Sequence, residues 1–243
     1  VPVLFGLIPS AASVWQDRLP VGAPSADEKD WIDEITERMT IPTIDLNAAL
    51  THHSQEAIYY RTDHHWTSLG AFYGANAIFE AAELEPLRLS DYQRQTVSEN
   101  FRGTNESSAC AWWTEPDAIE VYVKEDGKTV TSNFTGREEP GQLYAAERLD
   151  TKNQYAYFLG GNQPLCVIRS QAAGDKLLVI RDSYCDCLAP FLSERFQEVH
   201  LFDLRYNRLS PADYIREHGI DKVLILYSFE TFTGEKIVMK SPL

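Results

Sequence analysis

The sequence predicts an α/β fold, a three-layer α/β/α sandwich with a mostly parallel sheet and a β-rich insertion at about residues 90–164. Three observations lead there. Apolar runs without polar alternation, "VPVLFGLIP" at the start and "KLLVIRD" and "KVLILYS" towards the end, fit strands covered on both faces. Helical patterns lie between such runs, as the crossovers of a parallel sheet require. In the middle third the pattern changes to short alternating segments, "IEVYVKED" and "KTVTSNF", which fit antiparallel strands.

Taken in order, the run ending at Pro9 is a buried strand. "DEKDWIDEITERM" follows as a helix with an acidic first turn and Trp31, Ile32, Ile35 and Met39 on one face. "TIDLNAAL" supplies a second short apolar segment. Thr67 or Ser68 caps the next helix, in which Leu69, Phe72, Ala75, Ile78 and Ala82 recur near the helical period. The two alternating segments of the insertion read as partners joined by a Gly127-Lys128 turn after Asp126. "PLCVIRS" and "KLLVIRD" then restore the parallel-strand pattern, followed by a helix from about Ser183 to Arg195 and the strand "VHLFDL". The last unit carries every punctuation mark: Ser210 as cap, Pro211 at the first helical position, Asp213 in the first turn, Gly219 as stop, then "KVLILYS". Residues 1–243 are expected to form a single domain.

A composition of 44% hydrophobic and 24% charged residues is that of a globular protein, and a net charge of −14 repels nucleic acid and other polyanions. The expected partner is therefore neutral or weakly charged. No run reaches the ~18 apolar residues of a membrane span. The chain opens on Val1 inside a core strand, so it is expected to be a trimmed piece of something longer. Its four cysteines lack paired CxxC spacing, which argues against structural zinc and for small packed side chains.

Ligands of a parallel α/β sheet sit at the carboxyl ends of its strands. "KLLVIRDSYCDC" puts Ser183, with Tyr184 beside it, at such a strand-to-helix turn, where the positive end of the helix dipole favours a developing oxyanion. A serine hydroxyl attacks at neutral pH only when a neutral imidazole takes its proton and a carboxylate fixes the imidazole's tautomer. "YYRTDHHWTSLGA" offers both: residues two apart share a face of an extended segment, so Asp63 and His65 project together while His64 turns away. A competing reading gathers His52, His53, His64 and His65 with Asp63 around a metal. Adjacent histidines do not easily aim at one ion and the helical His-x-x-x-His spacing is missing, so no metal and no cofactor is expected. Arg61, Arg181 and Arg205 flank the site elements as candidates for orienting an anionic group. Trp66, Trp112 and Trp113 are candidates for stacking on sugar rings, Trp66 foremost by position.

"YYRTDHHWTSLGAFYGA", "FRGT", "YFLGGNQPL" and "IRDSYCDCLAPFLSERFQEVHLFDLRYN" together resemble the bacterial DHHW protein family over nearly the whole chain. That family is similar to the N-terminal domains of alginate O-acetyltransferase proteins, which have an SGNH-hydrolase-like fold in permuted motif order. The resemblance implies a triad of Asp63, His65 and Ser183, the trio reached above from spacing. It also implies an oxyanion hole with a backbone N–H and an asparagine side chain, for which the candidates are the backbone near Arg205 and Asn162. Ser228 stands at a strand end where an asparagine would be expected. By the same resemblance the protein is exported, extracellular or membrane-anchored, its substrate is a carbohydrate or polysaccharide, and a membrane acyl-donor protein is a further partner.

The expected function is serine-dependent acyl ester chemistry, O-acetyl transfer or esterase, on a cell-surface carbohydrate. The alternatives are a non-catalytic carbohydrate-binding or assembly domain with the same fold, and a metal-dependent hydrolase built on the histidine cluster.

Overall fold

The computed structural model describes residues 1–124 and 127–234. Its centre is an eight-stranded sheet in the order β2-β1-β10-β8-β9-β7-β5-β6. The strands are β1 Val3–Ile8, β2 Thr43–Ile44, β5 Thr129–Asn133, β6 Glu139–Pro140, β7 Leu165–Arg169, β8 Lys176–Arg181, β9 Glu198–Phe202 and β10 Lys222–Ser228. From β2 to β9 all neighbours are parallel, and β7, β5 and β6 continue the sheet antiparallel. A separate antiparallel pair is formed by β3 Gln93–Phe101 and β4 Asp117–Val123.

Helices cover both faces because the central strands are apolar on both. The helices are α1 Ala11–Val14, α2 Glu28–Glu37, α3 Leu46–His52, α4 Ser68–Ala81, α5 Thr104–Ala109, α6 Cys185–Leu192, α7 Pro211–His218 and α8 Phe229–Gly234. Ile8, Leu177, Val179, Leu224 and Leu226 pack with Leu46, Phe72, Ile78 and Leu188 of α3, α4 and α6. Their neighbours in the same strands point the other way. Val3, Leu178 and Val223 meet Tyr214 of α7, and Phe5, Leu7 and Tyr227 meet Ile32 of α2 and Phe229 and Phe232 at α8. The result is the expected three-layer α/β arrangement with a mostly parallel sheet.

The helix signals act as their chemistry requires. Thr67 Oγ1 accepts from Gly70 N, Ser210 Oγ accepts from Asp213 N, and Gly219 closes α7 at φ +61°, a conformation that needs no Cβ. The four cysteines are free, and Cys166, Cys185 and Cys187 are packed in the core.

Three expectations are corrected. The alternating segments of the insertion are not partners: β4 pairs with β3, while β5 joins the main sheet beside β7. Alternation tells which face of a strand is buried but not which strand lies next to it. The turn expected between them begins at Asp126, outside the described residues, although its Gly127 and Lys128 are described. "PLCVIRS" forms β7 antiparallel to β9, since residues 170–175 are too few for the crossover that a parallel return needs. Trp31 is exposed, so the buried face of α2 is centred on Ile32.

Candidate active site

The loop between α3 and α4 is built by hydrogen bonds before any chemistry is placed on it. The Asp117 carboxylate, at the start of β4, accepts from Arg61 N, Thr62 N and Thr62 Oγ1 at 2.6–3.2 Å. Trp66 is fully buried and its Nε1 donates to the Tyr184 carbonyl at 2.9 Å, tying the loop to the turn after β8. Gly74 on α4 makes room for that indole, since a Cβ there would lie 2.8 Å from its ring, and Gly70 lets α4 approach the Ile58 carbonyl, whose oxygen would lie 2.3 Å from a Cβ. Tyr184, also buried, donates its hydroxyl to the His64 carbonyl.

On this frame Asp63, His65 and Ser183 form one hydrogen-bonded line. His65 Nδ1 lies 2.5 Å from Asp63 Oδ1, and His65 Nε2 lies 2.8 Å from Ser183 Oγ. His65 N also donates to Asp63 Oδ1 at 3.0 Å, and Thr104 N and Oγ1 donate to Asp63 Oδ2 at 2.9 and 3.1 Å. Burial opposes ionisation of Asp63, but the His65 hydrogen bond and the neighbouring imidazoles outweigh it and hold the carboxyl below the usual range. Burial lowers the His65 pKa further than the Asp63 bond restores it. At neutral pH the pair is therefore a carboxylate and a neutral imidazole, the state in which Nε2 accepts a proton from a serine.

Two contributors were not singled out in the sequence. Tyr155 stacks on the His65 ring with centroids 3.7 Å apart, and its hydroxyl donates to the Ser183 carbonyl at 3.0 Å, so one side chain holds both His65 and the Ser183 backbone. Gly103 lies against Asp63: a Cβ there would sit 2.2 Å from the Asp63 Cβ and 2.4 Å from Oδ2. The motif "FRGT" carries this signal, a glycine for close approach followed by a threonine that donates twice. Gly103→Ala is expected to cost about 1–3 kcal/mol of stability and to pull Asp63 off His65. Thermal unfolding and turnover should fall together, and an unchanged variant would show that the contact is slack.

The other predicted site residues fall elsewhere. Trp66 belongs to the core and is closed to a sugar, whereas Trp112 and Trp113 are exposed. Arg181 is fully buried beneath the site, 2.8 Å from Asp186 and 4.0 Å from Asp203, so it cannot reach a ligand. The Arg205 amide donates to Asp203 Oδ1 at 3.0 Å and its guanidinium is paired with the same carboxylate, which removes that amide as an oxyanion donor. Ser228 N and Oγ donate to Asp182 Oδ2 at 2.8 and 2.7 Å, locking the end of β10 to the turn that carries Ser183. Asn162 is exposed, and Arg61 pairs with Asp117 at 3.3 Å while remaining largely in solvent.

Among the described residues, Asp63, His64 and His65 form the one group with metal-ligating potential. Two atoms bound to one ion at about 2.0–2.2 Å stand roughly 3 Å apart, so the 2.5 Å between Asp63 Oδ1 and His65 Nδ1 fits a shared proton instead. His53 is paired with Glu56 and stacked on Tyr73.

A family model described as an SGNH hydrolase-like domain of the acetyltransferase AlgX matches residues 1–109. Among solved structures, the chain is similar to a DHHW family protein from Eubacterium siraeum at 30% identity, over 100% of this chain and 83% of that one, with a TM-score of 0.88. It is also similar to Bacillus cereus PatB1 solved with a sulfonyl adduct, at 21% identity over 98% and 85% of the two chains and a TM-score of 0.80. The O-acetyltransferase domain of Pseudomonas putida AlgJ follows at 14% identity over 100% and 78%, with a TM-score of 0.56. The last two likenesses concern the fold alone. No curated protein sequence matches the chain.

Proposed function

The chain belongs to the DHHW family, and on that premise we propose that it performs serine-dependent acyl transfer, as an O-acetyltransferase or esterase acting on an extracellular or cell-surface carbohydrate. The observation that carries this reading is the unbroken line from Asp63 through His65 to Ser183. The O-acetyltransferase domain and the sulfonyl-adduct structure among its fold relatives lend support.

Ser183 Oγ attacks the acyl carbonyl carbon as its proton passes to His65 Nε2, and Asp63 stabilises the imidazolium. Within the nucleophile turn, Tyr184 N donates to Asp182 Oδ1, Cys185 N to the Asp182 carbonyl and Asp186 N to the Ser183 carbonyl. That leaves the Ser183 N–H for the oxyanion. The departing alcohol takes the proton from His65. Water or a sugar hydroxyl then attacks the acyl-enzyme, gives its proton to His65, and Ser183 leaves with that proton returned. Among the described residues no helix is long and apolar enough to cross a membrane, and an exported location is part of the proposal.

The test is intact-mass analysis after incubation with an activated acetyl ester, with the adduct localised by peptide mapping. One acetyl group on Ser183 is expected. Because protonated His65 cannot accept from Ser183 and its pKa is lowered, the labelling rate should rise with pH to a plateau, with its inflection below the ordinary imidazole value near ~6.5. A protein that cleaves no ester and takes no label at any pH on that plateau would be a binding domain.

A further inference from the structure

A polar cleft of about 490 Å³ opens beside the triad, within the size range of small-ligand sites. One wall is α5, which presents Thr104, Asn105 and Ser108; the opposite wall is the end of β10 with α8, presenting Ser228, Glu230 and Thr231. His64 closes it on the catalytic side, its ring 3.9 Å from that of His65 and its Nδ1 2.7 Å from Thr104 Oγ1. The cleft and the nucleophile share a scaffold: Ser228 is fixed by Asp182, the residue before Ser183, and Thr104 is fixed by Asp63.

Among the described residues the lining is hydroxyl, amide and imidazole, with the Gly234 backbone and one carboxylate. Groups of this kind both donate and accept, which matches the vicinal hydroxyls of a sugar ring. Glu230 accepts from hydroxyls and repels anions, as does the net charge of −14. The carboxylates of an acidic polysaccharide would face Glu230 here. We propose that this cleft is the acceptor subsite, that it takes a neutral pyranose unit, and that His64, the first histidine of "DHHW", is a recognition residue for it. The inference rests on the acyl-transfer reading above. In the step it serves, the bound sugar hydroxyl attacks the acyl carbon on Ser183, its proton moves to His65 Nε2, the bond from acyl carbon to Ser183 Oγ breaks, and Ser183 Oγ receives the proton from His65.

Asn105 and Ser108 are exposed on α5 and take no part in the triad, so Asn105→Trp and Ser108→Trp fill the cleft and spare the chemistry. The experiment follows three readouts on wild type and both variants: cleavage of a small activated acetyl ester in water, acetyl transfer to neutral glucose- and N-acetylglucosamine-based oligosaccharides, and calorimetric binding of the same oligosaccharides. Both variants are expected to keep ester cleavage within about twofold and to lose transfer and binding tenfold or more, and His64→Ala should weaken binding in the same direction. Variants that still transfer and bind like wild type overturn the subsite, as does a wild type that cleaves the ester but neither acetylates nor binds any of these saccharides. Wild-type binding that Ser108→Trp abolishes, without ester cleavage, would uphold the subsite and bring down the acyl-transfer reading instead.

Discussion

Ser183→Ala is expected to lose the acetyl adduct and on the order of 10⁶-fold in ester turnover, and Asp63→Asn about 10⁴-fold, with both variants folded. The serine effect follows from removal of the atom that forms the bond. The aspartate effect follows from hydrogen-bond arithmetic. All four bonds to Asp63 are donated to it: Oδ1 takes His65 N and Nδ1, and Oδ2 takes Thr104 N and Oγ1. A carboxylate accepts at both oxygens, whereas an asparagine has one acceptor and one NH₂. If the asparagine oxygen stays with Thr104, its NH₂ faces His65 Nδ1 and drives the imidazole proton to Nε2. That nitrogen can then no longer take the Ser183 proton. Steady-state ester cleavage with circular dichroism as the folding control measures this, and an Asp63→Asn variant within tenfold of wild type would remove Asp63 from the mechanism.

The second large effect concerns stability. Arg181 is fully buried, with Asp186 2.8 Å away but off the hydrogen-bonding direction, and its Nη1 donates to the Asp182 carbonyl at 3.2 Å. Burial pushes the Asp186 carboxyl up, Arg181 draws it back, and the balance leaves it at about 6. Arg181→Ala strands that carboxylate, and unpairing a buried ion pair costs about 3–5 kcal/mol. The sign with pH is fixed. An acid whose pKa is higher folded than unfolded destabilises the fold as pH rises above the unfolded value near ~3.9, and without Arg181 that penalty grows. Arg181→Ala should therefore be far less stable than wild type at pH 7 and regain part of the difference at pH 5. The double variant Arg181→Met, Asp186→Leu, which removes both charges, should recover most of it. Urea denaturation at both pH values measures these effects, and an Arg181→Ala curve that overlays wild type would show that the pair is solvated.

The hydrogen-bonded line Asp63, His65, Ser183 is open to local reasoning because each part has a local cause. Asp63 and His65 meet because they are two residues apart in an extended segment, and Ser183 stands at the turn because an apolar strand ends there and a helix begins. Tyr155 carries no such local sign and Gly103 only the glycine of "FRGT", since their contacts with His65 and Asp63 join segments far apart in the chain. Trp66 and Arg181 lie near His65 and Ser183 in the sequence, but a side chain next to a site residue is free to face the core, and both do.

The sequence by itself determined the layers, the caps of α4 and α7 and the candidates Asp63, His65 and Ser183, because period, capping and strand-end position are properties of short stretches. Only the tertiary structure decided that β4 and β5 part company, that Arg181 answers Asp186 rather than a ligand, and that α5 and α8 face each other across a polar cleft. Those outcomes depend on which surfaces meet after long loops close. Hydrogen-bond ladders, buried charge pairs and cleft walls are each completed by a partner that the local sequence does not name.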